Sequence, residues 1–183
     1  LINTDGEAHM LQPGIGVGGH CTPVYPYFLI NNFKQAGLDF ELASRSRVIN
    51  DEMAAYAVAL ASMHVSNKKA LILGLSFRPN IKEDTFSTSY LLREALLKNN
   101  FEVCLHDTEF SAAEIEKKGF TPASDVYSTA SEALFLVTMH KEYQHLDYAA
   151  LSASGVRVII DGRNQLNKQQ VEQAGIRYIG IGR

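Results

Sequence analysis

The stretch "ALILGLSFRPN", residues 70–80, decides the fold. Eight residues from Ala70 to Phe77 carry almost no polar side chain and then give way to a polar loop. An apolar run of that length, without alternation, is expected of a strand buried on both faces of a parallel sheet. Outward from it the chain alternates. The loop "RPNIKEDTFSTS" leads into a helical pattern, "YLLREALLKNN", and then a second strand, "FEVCLHD". A helix in "SAAEIEKKG", a strand in "ALFLVTM", a helix in "DYAALSAS", a strand in "VRVIID", a helix in "KQQVEQAG" and a last strand, "RYIGIG", complete the pattern. Strand–helix alternation of this kind predicts an α/β fold, a Rossmann-like doubly wound parallel sheet with right-handed crossovers.

Upstream of this domain the pattern differs. Residues 1–25 are rich in glycine and turn formers and read as loop, and "YFLINNF" reads as a helix that ends near Gly37. From Phe40 to His64, apolar residues such as Leu42, Val48, Ile49, Met53, Ala57 and Leu60 recur at helical spacing with no glycine or proline. A helix of about 25 residues spans about 37 Å, longer than a small domain needs for itself. Such a helix usually joins domains or carries a subunit interface. The predicted division is 1–66, a loop and long helix, and 67–183, the Rossmann-like domain.

Composition narrows the class. A chain of 183 residues accommodates one well-cored domain with an appendage, and 46% hydrophobic with 20% charged residues excludes wholesale disorder. A net charge of −3 gives no reason to expect nucleic acid or an anionic membrane as partner. No apolar run approaches the ~20 residues of a membrane span, and no signal peptide is visible. The two cysteines, Cys21 and Cys104, form no disulfide framework and read as reduced thiols of a cytoplasmic protein. The first residue is Leu rather than Met, which reads as a piece of a longer chain.

In doubly wound sheets, ligands bind beyond the carboxyl ends of the strands. Arg78, in "SFRPN", and Arg163, in "DGRNQ", both fall on that edge. Two planar guanidiniums there suit a phosphorylated ligand; surface ion pairing is the other reading. The first strand–helix turn lacks G-x-G-x-x-G, so the dinucleotide fingerprint is absent from this sheet. Asp107 ends the second strand where a ribose-binding acid would sit, but without the glycines a turn-forming role is the better reading.

The second chemical signal is "PGIGVGGHCTPVYPYF", residues 13–28. Glycines ahead of Cys21 let backbone N–H groups approach a ligand closely. His20 or local amide dipoles would favour the Cys21 thiolate, a strong nucleophile. A small buried hydrophobe is the alternative.

This segment resembles the active-site signature of the UDP-glucose/GDP-mannose dehydrogenase family, and its "GGHC" form is similar to the branch that oxidises N-acetylated sugars such as UDP-N-acetylmannosamine. "SRVIND" resembles the family's central dimerisation helix. "ALILGLSFRPNIKED", "VIIDGRN" and "YIGIGR" are similar to its nucleotide-sugar-binding domain. The resemblance implies oxidation of a UDP-sugar primary alcohol to a carboxylate with two NAD, through a Cys21 thiohemiacetal and thioester. It implies that Gly18, Gly19 and His20 lie against the sugar and that Arg78, after Phe77, contacts the diphosphate. Arg163 would reach the sugar end, and Tyr27 and Phe28 would form a hydrophobic rim beside the nucleophile, or else pack as helix. It also implies a homodimer through the 40–64 helix and no metal. NAD would be bound mainly by an N-terminal domain that these residues do not include, so the fragment alone would be inactive. Two positions depart from the family pattern: Tyr25 stands where an Asp helps activate water, and Thr85 where an Arg contacts NAD. A non-catalytic nucleotide-sugar-binding or regulatory homologue is the alternative.

Overall fold

A computed structural model describes residues 13–182. Six strands form one wholly parallel sheet: β1 (Lys69–Leu73), β2 (Glu102–His106), β3 (Thr121–Pro122), β4 (Ala133–Leu136), β5 (Val158–Asp161) and β6 (Arg177–Gly180). Their order is β3-β2-β1-β4-β5-β6, the doubly wound order whose switch point lies between β1 and β4. The fold is Rossmann-like, as the alternation predicted. One strand was not legible. β3 is two residues long and ends in Pro122, which is tolerated because the strand lies at the sheet edge.

The apolar strands divide their side chains between two faces. Ala70, Ile72, Ala133, Phe135, Val158 and Ile160 enter one core; Leu71, Leu73, Leu134, Leu136 and Ile159 enter the other. Both layers are buried, which is why these strands read as unbroken apolar runs. Helices α3 (Thr88–Lys98), α4 (Ala112–Lys117), α5 (Tyr148–Ala153) and α6 (Lys168–Gln173) cover the sheet. Each is capped at its start by the side chain of Ser87, Ser111, Asp147 or Asn167.

Before the sheet come α1 (Cys21–Gln35) and α2 (Glu41–Ser62). Helix α2, at 22 residues, is about 33 Å long. Its C-terminal half packs on the first core through Ala54, Ala57, Val58 and Ala61, small residues that let the backbones approach closely. The reading of residues 1–25 as loop is corrected: residues 1–12 lie outside the described residues, and α1 begins at Cys21 itself. Pro23 occupies the first turn, where its missing N–H removes no helical bond, and only Pro26 lies deeper. The rigid segment after the cysteine is therefore helix rather than loop.

Candidate active site

The glycine run, the loop after β1 and the loop after β5 build the site, and they are stitched together. The glycine run 14–19 enters beneath the sheet edge, with Ile15 buried in the core at 3% exposure. A Cβ on Gly14 would stand 2.4 Å from the carbonyl oxygen of Gly162, so the run passes hard against the loop after β5. Val17 donates its N–H to Asn50 Oδ1 of α2 (2.9 Å), and Gly19 donates to the carbonyl of Thr85 (2.9 Å). A Cβ on Gly18 would meet Phe86 O at 2.8 Å and Phe77 Cβ at 2.9 Å; on Gly19, with φ +94°, it would meet the Phe77 ring at 2.8 Å. The space left by these two glycines is filled by the chain's own β1–α3 loop, so they serve close loop packing as well as lining the site.

The β1–α3 loop is held from below by a buried network. Asp107 Oδ2 accepts from the N–H groups of Leu75 (2.6 Å) and Ser76 (3.0 Å) and from His140 Nε2 (3.1 Å). His140 Nδ1 accepts from the Asn80 N–H (2.9 Å). Thr138 donates its hydroxyl to the Ser76 carbonyl. Burial raises the Asp107 carboxyl, but the bonds from His140, Ser76 and Glu109 outweigh it and hold it at about 2. Asp107 is thus a turn-former and a brace across the switch point. After β5, Asp161 plays the matching part, accepting from the N–H groups of Arg163 (2.9 Å), Gln165 (2.9 Å) and Leu166 (2.8 Å).

These loops enclose a cleft of about 560 Å³ at the carboxyl edge of the sheet, a volume in the range of small-molecule sites. Gly18, Gly19, His20, Cys21, Phe77, Arg78 and Arg163 all line it, with Glu83, Met139 and Gln165. Cys21 is exposed and is the first residue of α1, where unpaired backbone N–H groups and the helix dipole favour negative charge. The Arg163 side chain donates from Nε to Val137 O (2.6 Å), and burial pulls its guanidinium below its ordinary value while Asp161 opposes that. Arg78 is exposed, with its guanidinium 5.9 Å from the Phe77 ring centroid. The Tyr25 phenol is pushed above its ordinary 10 by a hydrogen bond to the Cys21 side chain, then by charge at that sulfur and by lost hydration.

Two expected residues do not line this cleft. Tyr27 faces a neighbouring cavity of about 540 Å³ between α1, α2 and α3, with Arg47 5.8 Å from its ring. Phe28 is exposed at 61% and packs near Tyr25, ring centroids 6.1 Å apart. Six and seven residues along the helix from Cys21, at 1.5 Å per residue, they lie about 10 Å along its axis from the thiol. Glu83 and His140 went unread, since each acts on residues far off in sequence.

Residues 71–168 match the UDP binding domain of the UDP-glucose/GDP-mannose dehydrogenase family, and residues 1–52 match its central domain. The chain belongs to this family. Among relatives, it is 30% identical over 191 residues to the UDP-N-acetyl-D-mannosamine dehydrogenase of Pyrococcus horikoshii, covering 100% of this chain and 43% of that protein. It is 29% identical over 192 residues to the UDP-glucose 6-dehydrogenase of Rhizobium meliloti, covering 100% of this chain and 44% of that one. The solved structure of an NDP-N-acetyl-D-galactosaminuronic acid dehydrogenase from Methanosarcina mazei superposes with a TM-score of 0.79 at 25% identity, over 95% of this chain and 40% of that one. The chain therefore spans less than half the length of the dehydrogenases it matches. The cleft of this nucleotide-sugar dehydrogenase family member is lined from both matched segments: His20 and Cys21 from the central domain, Arg78 and Arg163 from the UDP binding domain.

Proposed function

We propose that the chain is the substrate-binding part of an NAD-dependent nucleotide-sugar 6-dehydrogenase that oxidises the C6 alcohol of a UDP-sugar, of UDP-N-acetylmannosamine or UDP-glucose type, to the uronic acid. The observation that carries this reading is one cleft holding an exposed thiol at a helix N-terminus together with two arginines on the sheet edge. In this reading residues 67–183 bind the nucleotide, with Arg78 and Arg163 on the diphosphate and the sugar end, and residues 1–66 supply the nucleophile and the subunit contact.

Cysteine is the residue the chemistry calls for. The Cys21 thiolate adds to the aldehyde formed at C6, so that the intermediate does not escape, and the oxyanion that results lies at the positive end of α1. After the second oxidation the sugar is held as a thioester, an acyl group that water cleaves to the carboxylate.

NAD, which accepts hydride in this chemistry, does not fit the described part of the sheet. The amides of Leu75 and Ser76, which follow β1 where a dinucleotide fold cradles pyrophosphate, are already occupied by the Asp107 carboxylate. We place no hydride step on these residues.

The assembly proposed is a homodimer through α2. Leu42, Ile49, Tyr56 and Met63 recur every seven residues and are 75%, 48%, 54% and 68% exposed, an apolar seam that the described residues leave uncovered.

A second reading, a nucleotide-sugar-binding protein without catalysis, is favoured by Tyr25, whose hydroxyl engages Cys21 where the family pattern has a carboxylate. Titration calorimetry with UDP and UDP-sugars tests the binding common to both readings; no heat of binding would remove both. Intact-mass detection of a sugar acyl group on Cys21, after incubation with UDP-sugar, NAD and a protein that supplies the NAD site, separates them.

A further inference from the structure

His20 is the N-cap residue of α1, yet its side chain does not cap the helix. It reaches across to Glu83, 63 residues away, with Nε2 bonded to Glu83 Oε1. A carboxylate accepts, so Nε2 carries the hydrogen, and in the neutral ring Nδ1 holds the lone pair.

The pair is held on both sides. Glu83 closes its own loop, accepting at its carbonyl from the Phe77 N–H (2.9 Å), and two residues later Thr85 accepts from Gly19 (2.9 Å). The His20 and Phe77 rings meet edge to face, 6.4 Å apart at 86°. A histidine with a 63% exposed side chain would ordinarily be a free rotor; this one is fixed beside Cys21 at the cleft.

The ionisable side chains lining that cleft are His20, Cys21, Arg78, Glu83 and Arg163. Arginines keep their protons, and Cys21 is the acylated group in the proposed reaction. Tyr25, bonded to the thiol, is held above 10, so its phenol takes no proton near neutrality. Among the described residues lining the cleft, His20 and Glu83 are left as bases for water.

We infer that His20, oriented by Glu83, is the general base that activates water for hydrolysis of the Cys21 thioester. The inference rests on the nucleophile role proposed above for Cys21. The water oxygen attacks the thioester carbonyl carbon while its proton passes to His20 Nδ1. The C–S bond then breaks, its electron pair stays on Sγ, and the proton returns to the thiolate as the acid leaves. Glu83 is a positioning residue: it holds the ring and stabilises the imidazolium formed in passing.

The test uses the 183-residue chain and p-nitrophenyl acetate, with release of p-nitrophenolate reporting acylation and intact mass reporting the acetyl group on Cys21. The expected result is deacylation slowed about 100-fold in His20→Ala and at least about tenfold in Glu83→Ala, in each case by more than that variant's acylation is slowed. Added imidazole should restore deacylation in His20→Ala but not in Glu83→Ala, a rescue that a structural role would not give. Both side chains are partly exposed, and unchanged circular dichroism checks the fold. Deacylation at the wild-type rate in both variants overturns the inference, as does slowed acylation with deacylation intact, which would make the pair an activator of the thiol. If wild-type Cys21 takes up no acetyl group, the nucleophile reading falls, and this inference with it.

Discussion

His140 donates from Nε2 to Asp107 Oδ2 across 3.1 Å, with both side chains wholly enclosed. Through Asn80 on one side and Leu75 and Ser76 on the other, this contact fastens the loop bearing Phe77 and Arg78 to the ends of β2 and β4. Rigid support of this kind lets an exposed arginine keep its place at a sheet edge.

Acid should loosen it. Asp107 titrates at about 2 against an ordinary 3.8. A depressed folded-state value contributes stability above the unfolded value that is lost as pH falls through the folded one. A shift of this size is worth about 2 kcal/mol. Urea unfolding should therefore show stability falling between about pH 4 and pH 2, and Asp107→Asn should flatten that limb. An equally steep limb in the variant would remove Asp107 as its source.

Gly19 has φ +94° and no room for a Cβ against Phe77. Gly19→Ala should cost about 1–3 kcal/mol and lower the melting temperature, measured by calorimetry. An unchanged melting temperature would mean that the loop packs otherwise.

Arg78 and Arg163 should behave differently when removed. Losing a charge-assisted contact costs about 1.5–3 kcal/mol, so either Ala variant should bind UDP about 10- to 100-fold more weakly. Arg163 also donates to Val137 O, so Arg163→Ala should in addition lower stability, whereas Arg78→Ala should not. Equal UDP affinity in wild type and variants by titration calorimetry would place the nucleotide elsewhere.

The two thiols form an internal comparison. Cys21 is exposed. Cys104 is half-buried in β2, its sulfur 3.4 Å from Ala70 O, and burial pushes its thiol up. Iodoacetamide followed by peptide mass mapping should find Cys21 modified first, with UDP-sugar slowing the reaction. Preferential labelling of Cys104 would contradict the placement of both.

The α2 seam should fail under charge. Ile49→Glu or Tyr56→Glu should shift the particle from dimer to monomer in light scattering at micromolar concentration. A wild-type monomer would rule out the seam as a subunit contact.

Local pattern was enough for the architecture. Apolar runs such as Ala70–Leu75 and Ala133–Met139 identify strands with two buried faces, and the intervening helical stretches force parallel crossovers. The glycine run and the arginines after β1 and β5 located the cleft, because backbone conformation and strand polarity are set within a few residues. Other features depend on atoms brought together from distant parts of the chain. Glycine and turn formers read as loop through residue 25, whereas the folded chain starts a helix at Cys21, which carries Tyr27 into a second cavity and Phe28 onto the surface. β3 exists because two residues find an edge to pair with. Asp107 with His140, and His20 with Glu83, are separated by 33 and 63 residues. Single-residue chemistry names such groups as candidates, but hydrogen bonds are short-ranged and directional, so only the folded chain selects the partners.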